Sequence, residues 1–295
     1  MNRKVSLRHF SVFYYVYLAW GVVCLMPLCT VADTLTWAGT GDATSLQNTR
    51  IRVPPIANSS VEHGQYFLDL LDLVLFKTAP VYGPYSIEIA KLQLSSGRQF
   101  SELRKKGGAI DLNWNMTSEQ REEEFRAVKV PLLHDLNSYR VFLILDGEQE
   151  KFDDIRSLPE LGSLAAGQGA HWPDTVRLRS NGLEVVTSAQ YELLFSMLAS
   201  KRFDYFPRGL YEVWAEQKRH AQRGLVVEPN IMLYYPAPFY FFVRKENRVL
   251  AQRLEAGLKM SMRDGSFDAL FYSVPGFKRG MDELQSGRRR VIYVH

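Results

Sequence analysis

Apolar and polar positions follow one another along the chain in short blocks that switch between helical and strand periods. Residues 65–77 repeat their apolar positions at helical spacing, which predicts an amphipathic helix packed on a core. Residues 85–94 instead alternate apolar and polar side chains, as a half-buried strand does. Such blocks continue through the chain without an internal repeat. This alternation predicts an α/β fold with mixed, mostly parallel sheets and helices on both faces.

The stretch around residue 115 predicts a strand, a helix start and a second strand in close succession. Residues 110–114 form the first predicted strand, and Thr117 or Ser118 can cap the helix that follows. Arg121 then lies near a helix N-terminus at the carboxyl end of a strand, where open α/β sheets bind ligands.

Arg121 is therefore a candidate for ligand binding. The helix dipole disfavours a cation at this end, so stability alone explains Arg121 poorly, whereas holding an anion explains it well. A guanidinium group suits a planar carboxylate or a pair of phosphate oxygens. The alternative is an ordinary surface ion pair with Glu123 or Glu124.

This strand, followed by Met116, Thr117 and Arg121, resembles a motif of the type 2 periplasmic solute-binding proteins, in the polar amino-acid receptor branch. In that family the arginine grips the ligand carboxylate. The resemblance implies this role for Arg121, with Thr117 at the helix start.

The resemblance extends over nearly the whole chain after its N-terminal segment. It implies two α/β lobes around a cleft, joined by a hinge of two crossing strands, with the ligand held between the lobes. The first lobe would be discontinuous and would comprise residues 33–138 and 244–295. The second lobe, with the hinge strands, would comprise residues 139–243.

Second-lobe candidates follow from the same resemblance. The sequence Gly167-Gln168-Gly169 is interpreted as a turn before a helix opened by Pro173, where backbone N–H groups can approach an anion. Any tight turn also favours glycine, so this signal depends mostly on its position.

Asp204 matches an acidic residue of the family's second lobe. The family's acid for a ligand amino group should follow about five residues later, but residues 206–209 carry no carboxylate, and Arg208 brings a second cation. This departure argues against an α-amino acid and favours a more anionic ligand. Two structural alternatives stay open: Asp204 caps the next element, or Arg208 pairs with Glu212.

Aromatic side chains at predicted strand ends are candidates for the walls of the cleft. They are Trp114, Trp172 and Tyr205. Small-ligand clefts commonly combine such walls with a few polar anchors, although each aromatic residue taken singly is more often part of a core.

The N-terminal residues 1–32 are typical of a secretory signal peptide. Arg3, Lys4 and Arg8 precede an uncharged, largely apolar run over residues 10–26, and small residues offer a cleavage site before Asp33. An uncleaved N-terminal anchor is the alternative. Both cysteines lie inside this segment, so the mature chain would have neither a disulfide nor a thiol nucleophile.

The charge of the chain gives no argument for a nucleic-acid partner, and none is expected. Removal of the three positive charges of the signal segment lowers the formal net charge from +4 to +1, so the basic balance of the whole chain comes mostly from that segment. The arginine run at residues 288–290 is interpreted as a solvated tail.

These observations together predict an exported, periplasmic, monomeric solute-binding protein for a small anionic ligand, acting with a membrane permease of the ABC class. No cofactor and no metal are expected, because the six histidines are scattered without ligand spacing. A sensing or interaction module is one alternative. A cleft dehydratase is another, with Glu192, Asp204 or Glu212 as the general acid.

Overall fold

A computed structural model describes residues 48–56, 61–91 and 96–295 of the chain. The predicted signal segment, its cleavage site and both cysteines lie outside the described residues. Within the described part, no helix combines the length and the apolar character needed to cross a bilayer.

The helices and strands alternate along the chain. The helices are α1 Val61–Tyr82, α2 Ser96–Arg104, α3 Glu119–Glu124, α4 Glu150–Asp153, α5 Leu158–Leu161, α6 Pro173–Ser180, α7 Tyr191–Ala199, α8 Val213–Arg219, α9 Arg248–Arg263, α10 Ser266–Ser273 and α11 Pro275–Gln285. The strands are β1 Thr49–Val53, β2 Tyr85–Ile89, β3 Leu112–Met116, β4 Phe125–Val128, β5 Leu132–Asp135, β6 Tyr139–Leu145, β7 Ala165–Gly169, β8 Glu184–Ser188, β9 Tyr205–Gly209, β10 Leu225–Val227, β11 Ile231–Tyr234, β12 Phe239–Arg244 and β13 Arg290–Tyr293.

Three strands form one sheet in the order β3-β12-β4, which we call the small sheet. Helices α1 and α9 pack closely on each other, and α9 also covers β4 and β12. Helix α2 packs on β3 and β12 through the buried side chains of Phe100 and Leu103. The strands β1 and β2 form a separate parallel pair beside this body.

A seven-stranded sheet, which we call the large sheet, runs in the order β13-β11-β6-β9-β7-β8, with β10 also paired to β6. Its strand β6 is almost entirely buried and is antiparallel to β9, β10 and β11. The C-terminal strand β13 joins this sheet by parallel pairing with β11, whereas the sequence prediction counted residues 244–295 with the first lobe.

The α/β class is confirmed, and the sheets are mixed rather than mostly parallel. Of the nine strand pairings in the described residues, five are antiparallel. All five involve β6 or β12, which lie at the two ends of the predicted second lobe, residues 139–243. These two strands run against their neighbours, which is why the parallel prediction fails there.

The arginine run at residues 288–290 is not a solvated tail. The side chain of Arg289 is 6% exposed; its Nε lies 2.7 Å from Oε1 of Glu283, and its Nη1 donates to the carbonyl of Glu228. Arg290 begins β13 and donates to the carbonyl of Ile155. The run therefore anchors the last strand to the large sheet.

Two strands contain residues that are unusual in strands: the glycines of β7 and the proline of β9. Gly167, Gln168 and Gly169 lie within β7 instead of forming a turn, and the turn follows them. Strand β9 continues through Pro207, although proline has no backbone N–H to donate. Its pairing with β7 is confined to Tyr205, so the missing N–H of Pro207 costs no hydrogen bond to β7.

Candidate functional site

A cleft of about 520 Å³ lies where the small sheet, the large sheet and their loops meet. Residues of both sheets contribute to it, as a binding site between two lobes would require. Its lining residues are Gly97, Gln99, Asn115, Met116, Asn137, Arg140, Gly169, Ala170, His171, Trp172, Pro173, Asp174, Ser188, Ala189, Tyr191, Arg208, Tyr211, Glu212 and Phe239.

On the small-sheet side, the end of β3 positions the cleft wall and the cation beside it. Asn115 and Met116 are the last residues of β3, and α3 starts after Ser118, whose hydroxyl accepts a hydrogen bond from the Arg121 backbone N–H at 3.3 Å. The predicted cap is thereby confirmed. The Nη1 of Arg121 donates to Oδ1 of Asn115 at 2.9 Å and to the carbonyl of Met116.

Arg121 is a partly buried cation that borders the cleft. Its guanidinium lies 4.4 Å from the centre of the Phe100 ring. Burial lowers the pKa of Arg121 to about 10, with the charge of Asp174 acting in the opposite direction, so it remains protonated at neutral pH. Among the described residues, no carboxylate forms an ion pair with it, and the alternative pair with Glu123 or Glu124 is not formed.

On the large-sheet side, the turn after β7 leads into α6, which Pro173 opens as predicted. Asp174 lies in the first turn of this helix and is buried. Its Oδ1 accepts from Nε of Arg140 at 3.0 Å and from the hydroxyl of Tyr235. Burial opposes ionisation, but Arg140 and Tyr235 outweigh it and hold the pKa of Asp174 below its ordinary value.

Arg208 lines the cleft but is fully engaged by carboxylates of its own chain. Its Nε and Nη2 donate to the two carboxylate oxygens of Glu216, each at 2.7 Å, and Nη2 also lies 2.8 Å from Oε1 of Glu212. The exposed fractions are 6% for Arg208 and 2% for Glu216. The alternative in which Arg208 pairs with Glu212 is thus the one observed, with Glu216 as a second partner.

Glu212 lies in the cleft wall, and the pKa of its carboxyl group is raised. Its Oε1 accepts from the backbone N–H of Gly209 at 3.1 Å. Burial, reinforced by repulsion from Glu216, raises the pKa of Glu212 to about 7 against the attraction of Arg208. The group therefore changes charge near neutral pH.

Aromatic side chains supply the rest of the cleft surface. Trp172, Tyr191, Tyr211 and Phe239 line it. The Arg208 guanidinium lies 5.1 Å from the Trp172 ring centre and 5.5 Å from that of Tyr191, so rings and cation form one wall.

Of the ten residues predicted for ligand contact, Gly169, Trp172 and Arg208 line the cleft. Arg121 borders it through Asn115 and Met116. Thr117 donates its hydroxyl proton to Oε1 of Glu122 at 2.7 Å, within the helix start.

The remaining predicted residues lie in the core or at strand ends. Trp114 stacks on Phe67 with ring centres 5.6 Å apart. Gln168 is buried in β7, and Gly167 faces the ring of Phe203.

Asp204 and Tyr205 contact other residues of the protein and do not line the cleft. Asp204 accepts from the Ala165 backbone N–H, at the start of β7, at 2.9 Å and from Lys151 at 2.8 Å, and neither contact caps the element that follows Asp204. Tyr205 is fully buried and lies 4.6 Å from Phe142 between ring centres.

Sequence reasoning missed Arg140, Asp174, Tyr191 and Tyr211 as cleft residues, and it considered Glu212 only as a partner of Arg208 or as a catalytic acid. Asp174 had a local signal, because it stands in the first turn of the helix that Pro173 opens. Arg140 and its partner are 34 residues apart in the chain, so their contact has no local signal.

The described residues contain no cluster of histidine, cysteine or carboxylate side chains that could hold a metal ion. The chemistry of the cleft is thus that of guanidinium groups, carboxylates and aromatic rings. Such a set binds small polar solutes that carry charge.

Comparison with known proteins gives a fold but no family. No family model matches the chain, and no curated protein matches it. Solved structures do match. An ancestral arginine-binding protein bound to arginine has a TM-score of 0.59 and 18% identity, covering 77% of this chain and 98% of that chain.

Two further structures are similar. A chain from a study of glutathione import through the cystine ABC importer of Streptococcus mutans has a TM-score of 0.59 and 13% identity, over 78% of this chain and 96% of its own. An ancestral amino-acid-binding protein, described as a precursor of cyclohexadienyl dehydratase, has a TM-score of 0.54 and 15% identity, over 76% and 95%. The protein thus has the two-lobed α/β fold of type 2 periplasmic binding proteins.

Proposed function

We propose that the protein is an exported solute-binding protein that captures a small solute bearing a carboxylate in the cleft between its lobes. Arg121 is the observation that carries the proposal. It is a partly buried cation beside the cleft, and no carboxylate of the described residues pairs with it. A ligand carboxylate would offset its desolvation and complete its hydrogen bonds.

The two other arginines at the cleft differ from Arg121 because each pairs with a carboxylate of the chain, and this difference supports the assignment. Arg140 is paired with Asp174, and Arg208 with Glu216 and Glu212. Their charges are balanced within the chain, so neither needs a ligand anion. The anionic group of the solute is therefore assigned to the small-sheet side, and the aromatic wall of the large-sheet side would cover the remainder of the molecule.

The charge state of Glu212 bears on the ligand class. When Glu212 is ionised, the large-sheet wall carries one carboxylate more than its two arginines balance, which favours a solute that also has a cationic group. When Glu212 is protonated, a purely anionic solute fits. A screen must therefore include both kinds.

In this proposal the protein works in the periplasm, as a monomer, and delivers its solute to an ABC-type permease. The likeness to a chain studied with a cystine ABC importer supports a transport role. A sensor protein in place of the permease is the alternative, and the genes next to that of the protein would separate the two.

The test is a thermal-shift screen of the chain from Asp33 onward against amino acids, dicarboxylates, sugar acids and phosphorylated metabolites. A ligand that binds only the native state raises the free energy of unfolding by about 2.7 kcal/mol when its concentration is a hundredfold above its Kd. The Arg121→Ala variant should lose roughly tenfold to hundredfold in affinity, as expected for a charge-assisted hydrogen bond. Arg104→Ala, which removes an exposed ion pair with Glu124, is the matched control. Wild-type affinity in Arg121→Ala would refute the proposal.

Acid–base catalysis in the cleft is a second candidate, favoured by Glu212. A cleft carboxylate with a pKa of about 7 has the proton affinity of a general acid at neutral pH. The likeness to a dehydratase precursor agrees with this. Recovery of a chemically altered ligand after incubation would establish it, and recovery of unchanged ligand would exclude it.

A further inference from the structure

A second cavity, of about 390 Å³, opens between β4 and α9, and it shares no lining residue with the cleft. Strand β4 is an edge strand of the small sheet, so this face is bounded by α9 instead of by another strand. The lining residues are Arg126, Ala127, Val128, Arg248, Ala251, Gln252 and Glu255.

Two arginines of this cavity lack carboxylate partners. The Nε of Arg126 donates to the carbonyl of Lys245 at 3.0 Å, which orients the guanidinium and leaves both Nη groups available. Arg248, the first residue of α9, has no hydrogen bond or ion pair from its side chain to any residue in the described ranges. Neither arginine forms an ion pair with a described residue.

The net charge of the cavity is positive. Its single carboxylate, Glu255, lies 2.5 Å from Nζ of Lys259 and is balanced by it. The first turn of α9 contains no acidic residue and begins with a cation, which the helix dipole disfavours. Arg126 and Arg248 line the same cavity, and an anion bound there would reduce the repulsion between their like charges.

We propose that Arg126 and Arg248 form an oxyanion site for a phosphate group, either free or in a lipid headgroup. A tetrahedral phosphate in this cavity can offer oxygens to guanidinium groups from two different residues, whereas a carboxylate has only two oxygens in one plane. The site is independent of the solute proposed for the cleft.

Isothermal titration with inorganic phosphate, at constant ionic strength set with chloride, tests the site. Arg248→Gln changes an exposed side chain, and roughly tenfold weaker phosphate binding is expected from the loss of a charge-assisted contact. The double variant Arg126→Gln/Arg248→Gln should bind more weakly still. Arg263→Gln, an exposed arginine in the last turn of the same helix, carries the same charge change and should bind as the wild type does.

Vesicles of phosphatidylglycerol, compared with phosphatidylcholine, separate the two sources of phosphate. The site is assigned to a lipid headgroup if the protein binds phosphatidylglycerol vesicles but not free phosphate, and if Arg248→Gln weakens that vesicle binding. The proposal is overturned if neither phosphate nor vesicles bind, or if Arg263→Gln weakens binding as much as Arg248→Gln does. It is also overturned if phosphate binding is lost in Arg121→Gln and kept in Arg248→Gln, since that result would place the anion in the cleft.

Discussion

The arginines at positions 121, 140 and 208 have different hydrogen-bond partners, which indicates that they have different roles. Arg140 and Arg208 are buried with carboxylates in good geometry, and removal of one member would leave the other charged and unpaired. Among the described residues, the hydrogen-bond acceptors of the Arg121 guanidinium are neutral: the side chain of Asn115 and the backbone carbonyl of Met116. We therefore expect replacements of Arg121 to affect ligand affinity and replacements of Arg208 to affect stability.

Arg208→Gln should lower the free energy of unfolding by roughly 3–5 kcal/mol, because Glu216 would be left buried without its bidentate partner. Urea denaturation measures this loss. Arg104→Gln is the control, since its ion pair with Glu124 is largely exposed and should contribute less than about 1 kcal/mol. Equal stability of the two variants would contradict the role assigned to Arg208.

Glu212 should make stability depend on pH. Its pKa is raised from 4.5 to about 7 in the folded protein. The stability that its protonated form contributes is thus fully present below pH 4.5 and is lost as the pH rises through about 7.

The Glu212→Gln variant removes this titration. Its free energy of unfolding, relative to that of the wild type, should therefore rise between about pH 5 and pH 8, by at most about 3 kcal/mol. Chemical denaturation of both proteins at the two pH values measures the difference. A constant difference would show that Glu212 stays ionised throughout, held by Arg208.

At the scale of elements, local signals predicted where helices begin more reliably than where strands end. Ser118 and Pro173 mark the starts of α3 and α6 through capping and ring geometry, which act within a few residues. The course of β9 through Pro207 depends on which neighbours pair with it, and β6 is far away in the sequence. The same holds for the cleft, where Arg121 had a local motif and Arg140 had none.

The glycines of β7 were interpreted as turn formers, but they make room for rings. A Cβ at Gly167 would lie 2.1 Å from Cζ of Phe203, and one at Gly169 would lie 2.4 Å from the Trp172 ring. Phe203 is buried and cannot move aside without disturbing the core.

Gly167→Ala should consequently destabilise the large sheet, by about 1–3 kcal/mol, as overpacking does. Gly97→Ala is the matched control, because a Cβ there would meet no described atom within 4 Å and alanine favours the helix α2. Thermal unfolding of the two variants provides the comparison. A wild-type midpoint for Gly167→Ala would mean that Phe203 repacks freely.

At the scale of the whole molecule, the cleft is lined from both sheets, so under the proposed function we expect ligand binding to draw the two lobes together. Small-angle X-ray scattering should then show a smaller radius of gyration with saturating ligand than without it. The Arg121→Ala variant at the same ligand concentration should stay close to the unliganded value. An unchanged radius for the wild type with bound ligand would favour a rigid cleft and contradict the hinge.

The two ends of the described chain are held by distant partners. Helix α1 packs on α9, where Nε of Arg253 donates to the hydroxyl of Thr78, 175 residues away in the sequence, and β13 pairs with β11 only through the last residues. Contacts of such high sequence separation form late, because loop closure must precede them. The packing of α1 on α9 and the pairing of β11 with β13 therefore form only after most of the described chain has been synthesised. Under the proposed export, the chain would still be partly unfolded at that stage, as a translocation channel requires.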